Sequence, residues 1–222
     1  MYLLTYLLLN LLSSTSHIEM SCDMVLNTTD SGLGSLREVI SCSAVGDTVL
    51  FDQVLIGDTL SIDSVIVISN DITILDPTGS IYLRTDADAP FFRINEGVHV
   101  IIDGLTIIGG KFVEGSTIYN SGILTLNNVT LIDRGYSGVE AIICIDSTGQ
   151  LLVDNDVTIL SEKSTGLIFE TNFNLNGHYS VSNLGLWNGG SNNVTQPLEG
   201  WDGVFATGGS AIEIVTNEGI AG

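Results

Sequence analysis

The chain has 222 residues, of which 44% are hydrophobic and 14% charged, and it contains 25 glycines but only three prolines. This composition is typical of a folded domain made of many short strands and tight turns. Six basic and 26 acidic residues give a formal net charge of −20. Because such a surface repels phosphate backbones and anionic lipids, we expect no nucleic-acid partner and no membrane insertion of the mature chain. The acidity is equally consistent with simple solubility outside the cell.

Residues 1–16 have the pattern of a secretory signal peptide. The run YLLTYLLLNLL at residues 2–12 is almost wholly apolar and is too short to span a bilayer comfortably. Ser14 and Ser16 are the small residues that a cleavage site before His17 requires, although no Lys or Arg precedes the apolar run. We therefore predict a secreted or cell-surface protein whose mature chain begins near His17.

The three cysteines fit an exported protein. Cys22 and Cys42 flank the first folded segment, and we predict that they form a disulfide that holds an N-terminal cap. Cys144 is left over and is expected to be buried as a small apolar residue. The spacing of the cysteines and histidines does not match a structural zinc site.

A short helix is predicted within residues 17–52, the N-terminal cap. Ser35 is a suitable N-cap, and Glu38 occupies the third helical position of a capping box. The helix should span residues 36–42 and cover the first rung of the β stack, which would otherwise expose apolar side chains and unpaired backbone groups. Strands are then expected at residues 65–68 and 72–75, and a turn at residues 76–79.

Residues 118–132, IYNSGILTLNNVTLI, are the clearest copy of a repeated unit. Alternation along a strand places Leu124 and Leu126 on one face, and Asn127 with Asn128 marks a corner. Similar segments occur at residues 100–107, 151–159 and 179–186. The first apolar residues after the corners are 24, 28 and 27 residues apart, and they are Leu105, Val129, Val157 and Leu184.

Repetition at this period with no helical pattern between copies predicts an all-β, parallel β-helix over residues 53–222, irregular after about residue 187. The alternative is an antiparallel sandwich built from similar hairpins. Asn and Asp recurring at one corner favour the β-helix, because stacked amides in register hydrogen-bond from rung to rung.

Two stretches carry a resemblance to a known family. DSGLGSLREVI at residues 30–40, with GDTVLF at residues 46–51, resembles the opening of secreted bacterial right-handed parallel β-helix surface proteins with a CSLREA-type N-terminal region. NSGILTLNNVT at residues 120–130 is similar to the coil repeat of that family, which is related to polymorphic outer-membrane proteins and adhesins. The narrow motif has Cys where this chain has Gly34. The resemblance implies a β-helix with an adhesin-like role.

The resemblance to a β-helix also raises the hypothesis of a polysaccharide lyase or glycoside hydrolase, which needs clustered carboxylates, often with Ca²⁺, and a basic residue. Candidate residues are scattered. The basic residues are Arg37, Arg84, Arg93, Lys111, Arg134 and Lys163; the corner carboxylates are Asp103, Asp154 and Asp156; and the histidines are His17, His99 and His178. The segments at residues 69–71 and 176–178 are nearest to a glycosidase motif, and turns explain both.

We therefore predict no catalytic, cofactor or metal site, with Ca²⁺ at the corner carboxylates as the alternative. The expected function is that of a non-catalytic extracellular β-helix protein, adhesin-like or structural, with the carbohydrate-active enzyme as the competing hypothesis. Loops at residues 111–115 and 134–138 are candidates for a face that binds a glycan or protein. Open ends of the solenoid would allow self-association into filaments. Glycosylation motifs occur at Asn27, Asn128 and Asn193.

Overall fold

The computed structural model describes residues 22–85, 89–109, 116–132, 141–146, 148–153, 157–160, 165–169, 174–175, 179–181 and 213–214. These residues form short strands together with one α-helix and one short 3-10 helix. Within this part of the chain, no helix has the length and apolar character that crossing a bilayer demands. Several loops that the sequence singled out, including residues 111–115 and 134–138, lie outside the described residues.

The helix α1 spans Leu36–Cys42, and a 3-10 helix spans Gln53–Leu55. The strands in chain order are β1 Met24–Val25, β2 Asp47–Phe51, β3 Thr59–Ile62, β4 Ile66–Ile68, β5 Ile72–Leu75, β6 Tyr82–Thr85, β7 Phe92–Ile94, β8 His99–Asp103, β9 Thr106–Ile108, β10 Ser116–Asn120, β11 Ile123–Asn127, β12 Val129–Ile132, β13 Ala141–Ile145, β14 Gln150–Val153, β15 Val157–Leu160, β16 Thr165–Phe169, β17 Asn174–Leu175, β18 Tyr179–Val181 and β19 Glu213–Ile214.

The strands make three parallel sheets. Sheet A has the order β1-β2-β5-β8-β11-β14-β17-β19, sheet B the order β3-β6-β9-β12-β15-β18, and sheet C the order β4-β7-β10-β13-β16. The chain visits sheets A, B and C in turn and then returns to sheet A one rung further along. This connectivity confirms the predicted parallel β-helix and rules out the antiparallel sandwich. The right-handed winding stays a prediction.

Inward-facing side chains form continuous apolar columns. In sheet A, Val49, Ile74, Ile102 and Leu126 are partners in register, and all four are fully buried. Ile74 and Ile102 therefore occupy equivalent positions on successive rungs. Full burial of each such side chain contributes roughly 1.5–3 kcal/mol, so the columns supply most of the driving force for stacking.

Sheets B and C contribute equivalent columns. Leu60, Leu83, Ile107 and Leu131 are in register in sheet B, and Ile66, Phe92, Ile118 and Ile143 are in register in sheet C. Phe91 and Phe92 are both fully buried, with ring centroids 4.6 Å apart in an edge-to-face arrangement. The pair therefore packs inside the solenoid.

The corner between sheets A and B requires special backbone conformations. Gly104 has φ +76° and Asn128, the residue at the same place one rung later, has φ +50°. A Cβ on Gly104 would overlap the carbonyl oxygen of Asp76. Both rungs therefore use a residue that adopts the left-handed region readily, and the close approach at Gly104 leaves no room for a side chain there.

Side chains at this corner also connect rungs. Asn128 Nδ2 donates to Asp103 Oδ1 at 2.9 Å. This bond joins two rungs, but it pairs an amide with a carboxylate rather than the stacked amides in register that the sequence predicts. Further side-chain hydrogen bonds between rungs, which the sequence did not predict, lie at the corner between sheets C and A. There Asn95 Nδ2 donates to Ser69 Oγ at 2.9 Å, and Ser121 Oγ donates to a carboxylate on the next rung at 2.6 Å.

Two expectations are wrong. The repeat alignment placed Tyr179 and Val181 in the part of the unit that forms sheet A, but β18 pairs with β15 in sheet B, with Tyr179 opposite Val157. Strand β17 occupies the sheet A position of this coil, and the coil is shorter than the preceding ones. Leu184 lies outside the described residues. Cys144 is half-buried rather than buried, because it shares the outward register position of Tyr119 while Ile143 and Ile145 face the core.

The predicted helix forms over the predicted residues. Ser35 is the N-cap of α1, and its hydroxyl accepts from the N–H of Glu38 at 3.3 Å. The reciprocal half of the capping box is absent from the described contacts, since the Ser35 N–H donates to the carbonyl of Gly32. Leu36, Val39 and Ile40 are buried against the end of the stack. The predicted Cys22–Cys42 disulfide is present, with the Cα atoms 5.4 Å apart.

Replacement of Gly104 by Ala tests the corner geometry. We expect G104A to lower the free energy of unfolding by about 2–4 kcal/mol, because it combines an unfavourable φ with a backbone overlap. The matched control is G57A, since Gly57 has φ +85° but no atom within 4 Å of the added Cβ. Only the conformational cost of about 1–2 kcal/mol should appear there. Equal losses in urea unfolding of the two variants would contradict the close approach of the rungs.

Candidate functional site

The structure places only some of the sequence-predicted candidates. Those within the described residues are Arg37, Arg84, Arg93, Asp103 and His99. Those outside are His17, Lys111, Arg134, Asp154, Asp156, Lys163, His178 and the whole of the segment at residues 176–178. Arg37 lies on α1, Arg84 on β6 in sheet B and Arg93 on β7 in sheet C, while His99 and Asp103 lie at opposite ends of β8 in sheet A.

Arg37 bonds the cap to the first coil. Its Nη2 donates to Asp30 Oδ1 at 2.7 Å, forming an ion pair, and also to the carbonyl of Ser64 at 2.6 Å. Nη1 donates to the carbonyl of Val65 at 2.6 Å, and Nε donates to the carbonyl of Asp30 at 3.2 Å. The guanidinium therefore links the loop before α1 to the connection between β3 and β4. Arg37 is a candidate catalytic base by sequence, and the structure assigns it a structural role.

Asp30 and Ser43 complete the attachment of the cap. Asp30 Oδ1 also accepts from the N–H of Asp63 at 3.2 Å. Ser43, the C-cap residue after α1, donates its hydroxyl to the carbonyls of Cys22 and Val39 at 2.8 and 2.7 Å. Neither role is predictable from local spacing alone, because the Asp63 N–H and the Cys22 carbonyl are distant in sequence from Asp30 and Ser43.

Asp76 is a buried carboxylate in the turn after β5. It accepts from the N–H and hydroxyl of Thr78 at 2.9 and 2.7 Å, and from the N–H groups of Ser80 and Ile81 at 2.7 and 2.8 Å. Burial on its own would raise the pKa of Asp76, but these hydrogen bonds to the charged form outweigh it, so the pKa lies below its usual value.

Asp146 repeats this arrangement two coils further on. Its carboxylate accepts from the N–H and hydroxyl of Thr148 at 2.9 and 2.8 Å, from the N–H of Gly149 at 3.2 Å, and from the hydroxyl of Ser121 at 2.6 Å. Burial opposes ionisation here too, and the hydrogen bonds again lower the pKa. Both turns read Asp-x-Thr-Gly in the sequence, a repeated motif that identifies them without the structure.

The segment at residues 69–71 is a turn, as predicted. Asn70 Nδ2 donates to the carbonyl of Ser43 at 2.9 Å, and Asp71 Oδ1 accepts from the N–H of His99 at 2.7 Å. The imidazole Nε2 of His99 lies 2.8 Å from Thr125 Oγ1 on the neighbouring strand, and Thr125 is buried. These side chains therefore bond rung to rung.

Arg93 is the exposed member of the three described cations. Its guanidinium carbon lies 5.6 Å from the centroid of the Tyr119 ring, and the two residues are register partners on the outer face of sheet C. Such a cation–π contact at an exposed site contributes about 0.5–1 kcal/mol. Val67 precedes Arg93 in the same column and is 47% exposed, so this column presents both apolar and charged groups to solvent.

Two glycosylation motifs fall within the described residues. Asn27 Nδ2 donates to the carbonyl of Leu33 at 2.8 Å, and its Oδ1 accepts from the N–H of Thr29 at 3.1 Å. Asn128 donates to Asp103 at the corner. Asn193 lies outside. Attachment of a glycan to either described asparagine would therefore compete with a bond that its amide already makes.

Within the described ranges, no three His, Cys, Asp or Glu side chains are grouped in a way that would hold a metal ion. Asp103 is half-buried and its Oδ1 is engaged by Asn128, while the other two corner carboxylates of the calcium hypothesis lie outside these ranges.

None of the protein-family models, curated proteins or solved structures compared with this chain matches it. The fold rests on the stacked parallel strands of the chain itself. The link to CSLREA-type surface proteins rests on the quoted motifs alone.

Replacement of Arg37 tests the attachment of the cap. R37A should lower the free energy of unfolding by about 2–4 kcal/mol, because it leaves the Val65 and Ser64 carbonyls without their charged donor. R37K should recover less than half of this loss, since one ammonium does not reproduce the planar fork. R93A is the control and should cost about 1 kcal/mol or less. Similar losses for R37A and R93A in chemical denaturation would contradict the structural role of Arg37.

The lowered pKa of Asp76 predicts that part of the free energy of unfolding is lost at acid pH because of this carboxylate. The carboxylate stabilises the fold fully above its unfolded pKa of about 3.9, and this contribution is lost as the pH falls through the lower folded-state pKa. D76N should therefore destabilise the protein strongly at pH 7 and much less near pH 2. T78V removes one hydroxyl donor to the carboxylate and should shift this loss of stability to higher pH. Parallel stability curves for wild type and D76N between pH 7 and pH 2 would disprove this assignment.

Proposed function

We propose that the chain is a secreted or cell-surface parallel β-helix protein that acts by presenting its outer faces, in an adhesin-like or structural role. The partner would be a glycan or protein on a cell or matrix surface. The fold alone does not select this function, because solenoids also support catalysis. The proposal therefore depends on how the chain uses its polar side chains.

The main observation behind this proposal is that the reactive side chains within the described residues make hydrogen bonds that stabilise the stacked rungs and their turns. The carboxylates of Asp76 and Asp146 each accept several hydrogen bonds within one turn. Arg37 is occupied by carbonyls of the first coil, and His99 bonds to the adjacent rung. A lyase or hydrolase instead needs such groups aimed at a shared substrate position. This use of the side chains supports a protein that presents a surface.

Two features support export. The Cys22–Cys42 disulfide attaches the start of the described chain to the last residue of α1, and structural disulfides persist mainly in oxidising compartments. The apolar run at residues 2–12 and the small residues after it support the same location. Outside the cell, the net charge of −20 would also give the protein colloidal stability.

The structure gives physical meaning to the motif on which the family resemblance depends. Within SLRE at residues 35–38, Ser35 caps α1, Leu36 is fully buried, and Arg37 bonds to the first coil. These three residues help to close the end of a β-helix. A shared need to close that end explains why surface proteins of this family would have this short segment in common, and it supports membership of that family.

Export is tested by expressing the chain with its own first 16 residues in a secreting bacterial host. We expect the protein in the medium or on the cell surface, with a mass corresponding to cleavage before His17 and with no free thiol at Cys22 or Cys42. The control carries charged residues within the apolar run and should remain inside the cell. Retention of the unaltered chain in the cytoplasm, uncleaved and reduced, would overturn the proposed location.

The role of the surface is tested by incubating the purified protein with acidic and neutral polysaccharides, with and without Ca²⁺. We expect no new reducing or unsaturated ends, and retention of the protein by at least one immobilised glycan or by intact cells. Cleavage that disappears when a single carboxylate is replaced would overturn the proposal and establish the carbohydrate-active enzyme instead.

A further inference from the structure

Exposed apolar side chains are concentrated at the N-terminal end of the solenoid. Within the described part of the chain, five of the seven large hydrophobic residues that are exposed precede Gly57. Four of these five lie on two segments, the loop before α1 and the 3-10 helix with the residue after it. We call them the cap patch, and they are Leu26, Leu33, Val54 and Ile56, with exposed fractions of 47%, 55%, 73% and 51%.

Backbone hydrogen bonds bring the two segments of the cap patch together. The N–H of Asp52, just before the 3-10 helix, donates to the carbonyl of Val25 at 2.9 Å. Leu26 is therefore one residue from this bond and Val54 is two residues from it. The N–H of Leu26 donates to the carbonyl of Gly34 at 2.8 Å, so the far end of the loop returns to its start. The two segments thus form neighbouring parts of the same end of the molecule.

The backbone beneath the cap patch is held in place by polar contacts and by the core. In the loop, Asn27 Nδ2 donates to the carbonyl of Leu33 at 2.8 Å. In the 3-10 helix, Asp52 Oδ1 accepts from the N–H of Val54 at 2.9 Å, while the next side chain, Leu55, is buried. A partner that covers a fixed surface of this kind has little ordering entropy to overcome. Exposed apolar patches with a polar rim mark interaction sites.

Carboxylates are interleaved with the apolar residues of the cap patch. Asp52 and Asp58 each lie two residues from a member of the patch, and Asp30 lies between the other two members in the sequence. Asp30 is paired with Arg37, whereas Asp58 is exposed and makes no ion pair with another described residue. Residues 22–63 contain Arg37 as their one basic residue and seven acidic residues, which are Asp23, Asp30, Glu38, Asp47, Asp52, Asp58 and Asp63.

We propose that the cap patch docks a basic amphipathic segment of another protein. Apolar side chains of that segment would cover the patch, and its Lys or Arg side chains would lie near Asp52 and Asp58. This inference goes beyond the proposed function, because it concerns the closed end of the solenoid and not its outer faces.

The charge of the chain selects this occupant. A second copy of the chain would bring a net charge of −20 to a surface that is already acidic, and anionic polymers would be repelled in the same way. A basic amphipathic segment instead matches both properties of the surface, because it buries an apolar face and places cations at the rim of the contact. Such pairing is screened by salt, so the affinity should fall as the ionic strength rises.

The test measures fluorescence anisotropy of a labelled synthetic peptide of leucine and lysine with amphipathic helical spacing. It is titrated with the purified chain, whose Cys22–Cys42 disulfide is intact. We expect saturable binding that V54S weakens by about three- to tenfold, because an apolar contact at the centre of the patch is lost. V67S is the matched control, since Val67 is also exposed but lies on the outer face of sheet C, and it should bind like the wild type.

A second pair of variants tests the charge. D58N should weaken binding several-fold at low ionic strength and should reduce its salt dependence, because one carboxylate at the rim is removed. E96Q is the matched control, since Glu96 is exposed on a later rung, and it should leave the affinity unchanged. Circular dichroism and urea unfolding should show that all four variants keep the wild-type fold, because each replaced side chain is exposed.

Equal affinities of V54S and V67S, or of D58N and E96Q, would show attraction by net charge alone and would overturn the proposal. Equally tight binding of a leucine–glutamate peptide with the same spacing would also overturn it, because the occupant would not need to be basic. Self-association of the chain that V54S abolishes would assign the cap patch to a second copy and would likewise contradict the proposal.

Discussion

The structure depends on one constraint, which is that each rung must lie in register on the one before it. Parallel pairing satisfies the backbone groups of a strand only through its neighbours, and the same register aligns Val49, Ile74, Ile102 and Leu126 into a single apolar column. A shift by one residue would turn these side chains outward. The corners enforce the register, since Gly104 and Asn128 adopt left-handed conformations at the same place in successive rungs.

Stacking leaves two exposed ends, and the N-terminal segment of this chain serves the first of them. The helix α1 supplies Leu36, Val39 and Ile40 to cover the core, while Arg37 and the disulfide attach it to the coil. These contacts connect residues that are between 7 and 28 positions apart in sequence, so the cap and the first coil should unfold together.

Much of this fold is predictable from local pattern. The limits of α1, the strand at residues 72–75 and the inward positions Leu124 and Leu126 follow from capping and alternation, which are local properties. The register of Tyr179 is mispredicted because Asn174–Leu175 forms a strand too short to show alternation, and the shortened coil displaces the next strand. The burial of Cys144 is mispredicted because cysteine is usually a buried residue type. This cysteine lies between two inward-facing isoleucines and therefore faces outward.

The polar contacts are harder to predict from sequence. The roles of Arg37, Asp30 and Ser43 depend on carbonyls that reach them only after the first coil closes. Asp76 and Asp146, by contrast, share an Asp-x-Thr-Gly motif whose hydrogen bonds are local, and this repetition is visible in the sequence. A carboxylate that accepts several hydrogen bonds stabilises its turn. Asp76 and Asp146 lie on separate rungs, which is consistent with polar side chains that stabilise the stack.

Cross-linking between rungs tests the central claim most directly. Thr106 and Thr130 are register partners on the outer face of sheet B, so their Cα atoms should lie about 4.8 Å apart, within the range that a disulfide spans. In a C144S background, T106C/T130C should form a disulfide rapidly under mild oxidation without loss of the folded state. T73C/T106C, which joins residues of different sheets, should not. Efficient cross-linking of the second pair with none in the first would contradict the stacked parallel β-helix.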